Sequence, residues 1–346
     1  MGVRFRSFAT LLGLLTAVSV ALGAQTPSVT VGGVGYVQYQ YQLNKDTVLN
    51  GHQNNFDVTR AYVNAIGKFP KGLTTRITLD LAGRSANTSY LAIRIKYAYL
   101  AWTPEDSHLT YKLGAIHTPW LDWEEALWDY RMQGQMALER GGYVSSSDFG
   151  AGVDGNWGYE KFNAQVGVYN GENYSGAPGD QRKDLMARAS YKLMNTDLPG
   201  KVGGLRLTGY AQYGKPTGGG KRQRYLGMLS HKSKQITLAA EYAMTRDSVA
   251  ASTSVAKGRV LSAFGVYNVP NSAIAILARV DITDPNTASA ATNDRLTRII
   301  GGASYQVTPN FRLLVDLDHV SRQGGNEPNG FKATSSTAYV QGQFTY

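Results

Sequence analysis

Basic residues recur on one parity of short alternating segments along this chain: Arg60 and Lys68, Arg76, Arg94 and Lys96, Lys112, Arg188 and Lys192, Arg206, Arg259, Arg279, Arg298 and Arg312. A guanidinium is planar, permanently charged and offers paired N–H donors to a carboxylate or phosphate, whereas an ammonium acts as a point charge. Set along the wall of a confined aqueous space, such a row raises the local concentration of anions. Fewer acids share that parity: Asp80, Asp148, Asp154, Asp184, Glu241, Asp281, Asp316 and Asp318. Some arginines must pair with them, so anion attraction is expected of Arg60, Arg76, Arg94, Lys96, Lys112, Arg188, Arg206, Arg279, Arg298 and Arg312 as a set rather than of each alone.

Other chemistry is thin. The stretch "GKPTGGGKR" has glycines and a lysine but the wrong spacing for a phosphate-binding loop, Arg222 where a Ser or Thr is needed, and no strand-to-helix context. The five histidines, His52, His108, His117, His231 and His319, are scattered without zinc-ligand spacing. His117 and Ser145–Ser147 lie near one connection, but no acyl-transfer constellation follows, so no enzyme, metal or cofactor is expected. A net charge of +10 is compatible with nucleic acid, yet placing the charge on an inner wall explains it without such a partner.

The elements that must position these residues are strands. Sixteen segments alternate with period two, from Val29–Leu43, Phe56–Phe69 and Leu73–Gly83 to Arg298–Val307, Phe311–Val320 and Thr337–Tyr346, each about ten residues long. In the third, Leu73, Thr75, Ile77, Leu79 and Leu81 share one face and Arg76, Thr78, Asp80 and Arg84 the other. A charged face on nearly every strand is too much for the rim of a sandwich. If the sheet closes on itself, the apolar parity meets lipid, the charged parity lines water, and no strand edge is left unpaired. Connections alternate between tight ones, such as "PKG" at Pro70 and "TPN" at Thr308, and long polar ones, such as Asn44–Asn55 and Ser321–Ser336. Short turns on one side and long loops on the other suit a transmembrane antiparallel β-barrel of an outer membrane. Beyond the first residues, no apolar run is long enough for a membrane helix.

The chain starts "MGVRFRSFATLLGLLTAVSVALGA": Arg4 and Arg6, an apolar stretch, then small residues. That is the pattern of a cleaved export signal over residues 1–24, leaving 25–346 as the barrel domain. Without Arg4 and Arg6 the 35 basic residues become 33 against 25 acids, a net +8. There is no Cys, so closure and packing must hold the fold without disulfides. At the other end, "AYVQGQFTY" puts Val340, Phe344 and Tyr346 on the lipid parity and Gln341 and Gln343 on the other, and this strand is expected to pair with the first. Phe344 and Tyr346 suit an interfacial aromatic girdle. An aromatic end of this kind also looks like the signal read by the barrel-assembly machinery.

The segments "FDVTRAYVNAIGKFPKGLTTRITLDL", "YKLGAIHTPWLDWEEAL", "KDLMARASYKL" and "YQVTPNFRLLVDLDHV", in that order and followed by the aromatic strand, resemble the phosphate-selective porin O and P family over most of the chain. The resemblance implies a sixteen-stranded barrel, usually a homotrimer, with an inward-folded third loop that narrows the pore. Here that loop, Thr118–Ser147, is the longest connection. In "WLDWEEALWDYR", Trp120, Trp123, Leu127 and Tyr130 recur at helical spacing opposite Asp122, Glu125 and Asp129. With Glu124 and Glu139, and only Arg131 and Arg140 as cations, the loop is more acidic than phosphate selection wants. Its acids are expected to face Arg76 and Arg94 across the eyelet. The expected function is passive diffusion of small hydrophilic solutes through an outer-membrane channel that leans toward anions and accepts phosphate. A general or carbohydrate-type porin, or a non-conducting scaffold or adhesin, stays open.

Overall fold

The computed structural model describes residues 26–45, 51–82, 92–176, 181–216, 219–249, 254–287, 294–323 and 334–346. The export signal expected over residues 1–24 and the side chain of Arg84 lie outside them. Sixteen strands follow in chain order: β1 (Ser28–Gln42), β2 (Asn54–Phe69), β3 (Leu73–Ala82), β4 (Ala92–Trp102), β5 (Leu109–His117), β6 (Ser147–Trp157), β7 (Phe162–Tyr169) and β8 (Asp184–Met194) make the first half. The second half is β9 (Gly204–Gly214), β10 (Gly220–Lys232), β11 (Ile236–Val249), β12 (Ala256–Asn268), β13 (Ile274–Asp284), β14 (Leu296–Thr308), β15 (Phe311–Arg322) and β16 (Thr334–Thr345). Each pairs antiparallel with its neighbours, and β16 pairs with β1 to close the barrel.

Closure runs from Val34 opposite Thr345 to Gln42 opposite Thr337. The last residue extends the pairing, with Gly33 N donating to the Tyr346 carbonyl at 2.9 Å and Tyr346 N to that of Gly33 at 3.2 Å. Two glycines make room here. A Cβ on Gly35 would sit 2.2 Å from the Phe344 ring and one on Gly33 2.4 Å from that of Tyr346, so the terminal aromatics lie flat over β1.

Burial alternates as the period-two pattern requires. Ile93, Leu113 and Val315 are 69%, 63% and 58% exposed on the outer face, where each would forfeit its transfer free energy in water but not in lipid. No helix among the described residues is long and apolar enough to cross a membrane, which says nothing against strands. Alternation fails at one place that matters. Thr78 pairs with Tyr97 and Leu79 with Ile95, so Lys96 is the extra residue of a β-bulge. Lys96 and Tyr97 are both buried on the inner side, and Ala98, Leu100 and Trp102 take the outer parity after it.

The segment between β5 and β6 carries α1 (Leu121–Trp128), a 3₁₀ turn at Arg131–Gln133 and α2 (Ala137–Arg140). Trp120, Trp123 and Trp128 are fully buried, and the apolar cluster they anchor includes Met228, Val260, Phe264, Leu277, Ile300 and Leu314 from the inner parity of β10 to β15. A buried Trp removes on the order of 200 Å² from water, an upper bound of about 5 kcal/mol each. This apolar seat departs from the uniformly charged inner face expected from the alternation. Its signal is present in β12, where Val260, Phe264 and Val266 share one parity and Leu261 the other, so both faces are apolar.

Candidate functional site

The inner face of β2 to β4 gathers the densest basic group. Arg60 and Arg94 approach the same buried carboxylate, Asp80, at 3.9 and 3.0 Å. Lys96 Nζ donates to Tyr62 Oη at 2.9 Å and lies 4.6 Å from the centre of that ring. Arg76 donates from Nε to Thr78 Oγ1 at 3.0 Å and from a terminal nitrogen to Asn64 Oδ1 at 2.9 Å, with its guanidinium 4.8 Å above the Tyr97 ring. Tyr97 stacks in turn on His117, 3.9 Å between ring centres. Arg76 and Lys96 thus form no salt bridge among the described residues; Arg76 also comes within 3.4 Å of His117 Nε2, and the charge of Glu125 reaches Lys96.

Sequence reasoning overlooked the tyrosines of this wall. Period two would have turned Tyr97 outward; the bulge at Lys96 turns it in. Tyr62 stood on the inner parity of β2 already, beside Arg60, and an arginine two residues from a tyrosine on one strand face is a readable cation–π spacing.

Opposite lies the β5–β6 segment, whose carboxylates are almost all spoken for. Arg131 donates to Glu125 at 2.7 Å and to Glu139 at 2.6 Å. Asp122 accepts from Lys201 at 2.5 Å; its buried setting favours the neutral acid, but the Lys201 ammonium outweighs this and holds the carboxyl well below the usual range. Asp129, left-handed at φ 34° where it ends α1, turns its carbonyl and carboxylate to Arg312, which donates at 3.0 and 3.3 Å. An aspartate tolerates that conformation better than most side chains. Glu124, fully buried, accepts from Trp120 Nε1 at 3.1 Å, and burial pushes its carboxyl up to about 7. The expected facing of Asp122, Glu125 and Asp129 toward Arg76 and Arg94 includes no direct ion pair: the acids pair with Lys201, Arg131 and Arg312, while Asp122 also comes within 3.7 Å of His117, the ring that Arg76 meets at 3.4 Å.

The seating is explicit. Arg188 donates to the Pro119 carbonyl at 3.0 Å and lies 4.2 Å from the Trp123 ring. Tyr130 Oη meets Ser304 Oγ at 2.8 Å, Arg140 reaches Asp281 at 3.3 Å, and Gln341 donates to the Met132 carbonyl at 2.9 Å.

The other expected basic residues divide by surroundings. Lys112 binds Asp154 and Arg298 binds Asp318. Arg279 is held by Asp281 at 2.8 Å beneath the segment. Arg206 is fully buried and donates to the carbonyls of Gly203 at 2.9 Å and Glu160 at 2.6 Å, holding turns together. Burial removes Lys96, Arg188, Arg206 and Arg279 from the groups a passing ion can touch. Lys68 is exposed and Lys192 half-buried near the tight-turn end. Arg259 is exposed on the outer parity beside Leu261, while Val260 and Ser262 point inward; its inward assignment is corrected. Arg222, not singled out from the sequence as a wall residue, binds Asp184 at 3.0 Å. A cavity of about 300 Å³ between the segment and the wall is lined by Arg60, Arg94, Glu139, Asp148, Tyr174 and Arg222, among others. Basic and acidic groups both reach it, with Arg60 and Arg94 on the β2–β4 side and Arg222 on β10.

A family model described as phosphate-selective porin O and P matches residues 30–267. No curated protein matches the chain. Among solved structures, the anion-selective porin from Comamonas acidovorans superposes with a TM-score of 0.70 at 12% identity, over 92% of this chain and 100% of that one. Salmonella typhi OmpF in complex with daunomycin gives 0.67 at 14%, over 92% and 97%. In-vitro folded OmpT of Vibrio cholerae in its trimer form gives 0.63 at 11%, over 93% and 100%. At these identities the structural likeness is one of fold.

Proposed function

The chain belongs to the phosphate-selective porin O and P family, and from that premise we propose that its outer-membrane channel passes small hydrophilic solutes with a lean toward anions. The observation that carries the lean is an imbalance of pairing. The carboxylates Asp122 and Asp129 of the β5–β6 segment pair with Lys201 and Arg312, and Glu125 and Glu139 share Arg131, while the half-buried Arg76 across from it makes no ion pair among the described residues. A hydrated anion moving along β2 to β4 meets Arg76 without an ion pair on one side and, on the other, acids that already hold cations. The segment from 118 to 146 acts as the constriction, folded into the barrel and held there by its buried tryptophans. Phosphate is accepted among the permeant anions rather than selected, since most wall guanidiniums already donate to protein acceptors.

Export by a cleaved signal over residues 1–24, recognition of Phe344 and Tyr346 by the barrel-assembly machinery and a homotrimer in the lipid of the outer membrane belong to the same reading. The trimer form of OmpT, a protein of the same fold, supports the last. A general porin without anion preference draws on a different observation: Glu139 and Asp148 reach the same cavity as Arg60 and Arg94. Reversal potentials in a planar bilayer under a potassium chloride gradient separate the two. An anion-directed potential supports the lean. A zero or cation-directed one leaves a porin without it, and absence of conductance removes the channel.

A further inference from the structure

The outer face of a barrel is apolar where it meets acyl chains, so charges on the outer parity are out of place unless something answers them. Three stand together on β11 and β12, at the end where the connections are long. Arg246 lies directly opposite Lys257, and Arg259, two residues along the same face, lies opposite Met244. All three are exposed, while Thr245, Gly258 and Val260 between them point inward and are buried. None of the three has a carboxylate partner among the described residues. Asp284 is the cross-strand neighbour of Arg259, and the pair forms no salt bridge.

Directly below the cations the outer face is hollowed. A groove of about 750 Å³ runs across β5 to β11, with a floor that includes Ala187, Ala189, Gly209 and Gly227 and with Tyr242 and Met244 on the side nearest the cations. Gly209 and Gly227 face each other across β9 and β10. Tyr213, Tyr225 and Tyr242 are exposed on this face, and such tyrosines mark the height of the headgroups. Tyr242 is paired with Leu261, and the three cations stand two to four residues beyond that pair toward the long loops.

We propose that Arg246, Lys257 and Arg259 with the groove beneath them form a binding site for a phosphorylated glycolipid of the outer leaflet, its phosphates on the cations and an acyl chain in the groove. The phosphates take charge-assisted hydrogen bonds from the guanidiniums, and the chain covers small residues that would otherwise leave voids against bulk lipid. The site rests on the outer-membrane reading of the barrel but not on any ion selectivity.

The test uses the folded protein in detergent micelles titrated with diphosphoryl lipid A, followed by native mass spectrometry. Binding tighter than to phosphatidylethanolamine is expected. A basic residue at an anionic lipid surface contributes roughly fivefold in affinity, so Arg246→Gln with Arg259→Gln should weaken binding about twenty-five-fold. Gly209→Leu with Gly227→Leu fills the groove without touching a charge. A Cβ on Gly227 meets nothing within 4 Å and one on Gly209 only the Leu226 carbonyl at 3.9 Å, so this variant should fold and also bind weakly. Faster migration of unboiled samples checks folding in each case. Parent-like binding by either variant overturns the site. Competition by inorganic phosphate as strong as by lipid A reassigns the cations to free anions, and loss of a trimer in the groove-filled variant reassigns the groove to a neighbouring copy. A barrel that binds lipid A but does not conduct would instead count against the channel reading alone.

Discussion

Arg76→Gln isolates one uncompensated charge at the proposed constriction. The guanidinium is half-buried, bound to Thr78 and Asn64, and glutamine can keep a hydrogen bond to those neutral partners, so the wall should not collapse. For an ion passing about 7 Å away, a unit charge in water contributes roughly 332/(80 × 7), or about 0.6 kcal/mol. At about 0.1 M salt, with a Debye length near 10 Å, screening halves this to about 0.3 kcal/mol. That is about 1.7-fold in local anion concentration and the inverse for cations, so the anion-to-cation permeability ratio should fall about threefold. At about 1 M salt the Debye length is near 3 Å and the effect shrinks to about 1.2-fold. Reversal potentials of single channels at both salts read this directly. Arg298→Gln with Asp318→Asn removes a neutral pair and should leave the ratio unchanged at either salt. An Arg76 variant that selects like the parent at low salt, or a shift that persists undiminished at high salt, would refute the electrostatic reasoning.

Deleting Phe344 to Tyr346 removes the Gly33–Tyr346 hydrogen bonds and the ring over Gly35; the truncated chain should lose the fast-migrating folded band on unboiled gels and accumulate in the periplasm. Gly35→Val, which drives a Cβ into the Phe344 ring, should weaken the band without abolishing it. Deleting Trp120 to Gly134 should raise single-channel conductance, whereas an unchanged conductance would place the segment outside the conducting path. Neutralising Asp122, Glu125 and Asp129 frees Lys201 and Arg312 and leaves Arg131 to Glu139 alone, so anion preference should rise with little change in conductance. Burial favours protonated Glu124, so its contribution to seating the segment is complete below the ordinary glutamate range and is lost as pH rises through about 7. Protease protection of the segment should therefore be stronger at acid pH, and Glu124→Gln should weaken that dependence.

The number of strands, their limits to within a few residues and the partner of the last strand were legible from period two alone, because which face a strand residue takes depends on its immediate neighbours. The segment Phe162–Tyr169 was read with the limits it has, and β16 was expected beside β1, where it lies. Charge parity located the inner wall for the same reason, and it misled at Arg259, since near the rim the outer face meets headgroups and tolerates cations. Tertiary structure alone decided which charges remain uncompensated. Arg131 meets Glu125 and Glu139 by the path of one loop; Asp129 meets Arg312 from 183 residues away; and the bulge at Lys96 turns Tyr97 inward under Arg76. Each depends on the register between strands or on where a long connection comes to rest. Those are set by closure of the whole barrel and by the tryptophans seated on β8 to β16, and no local period encodes them.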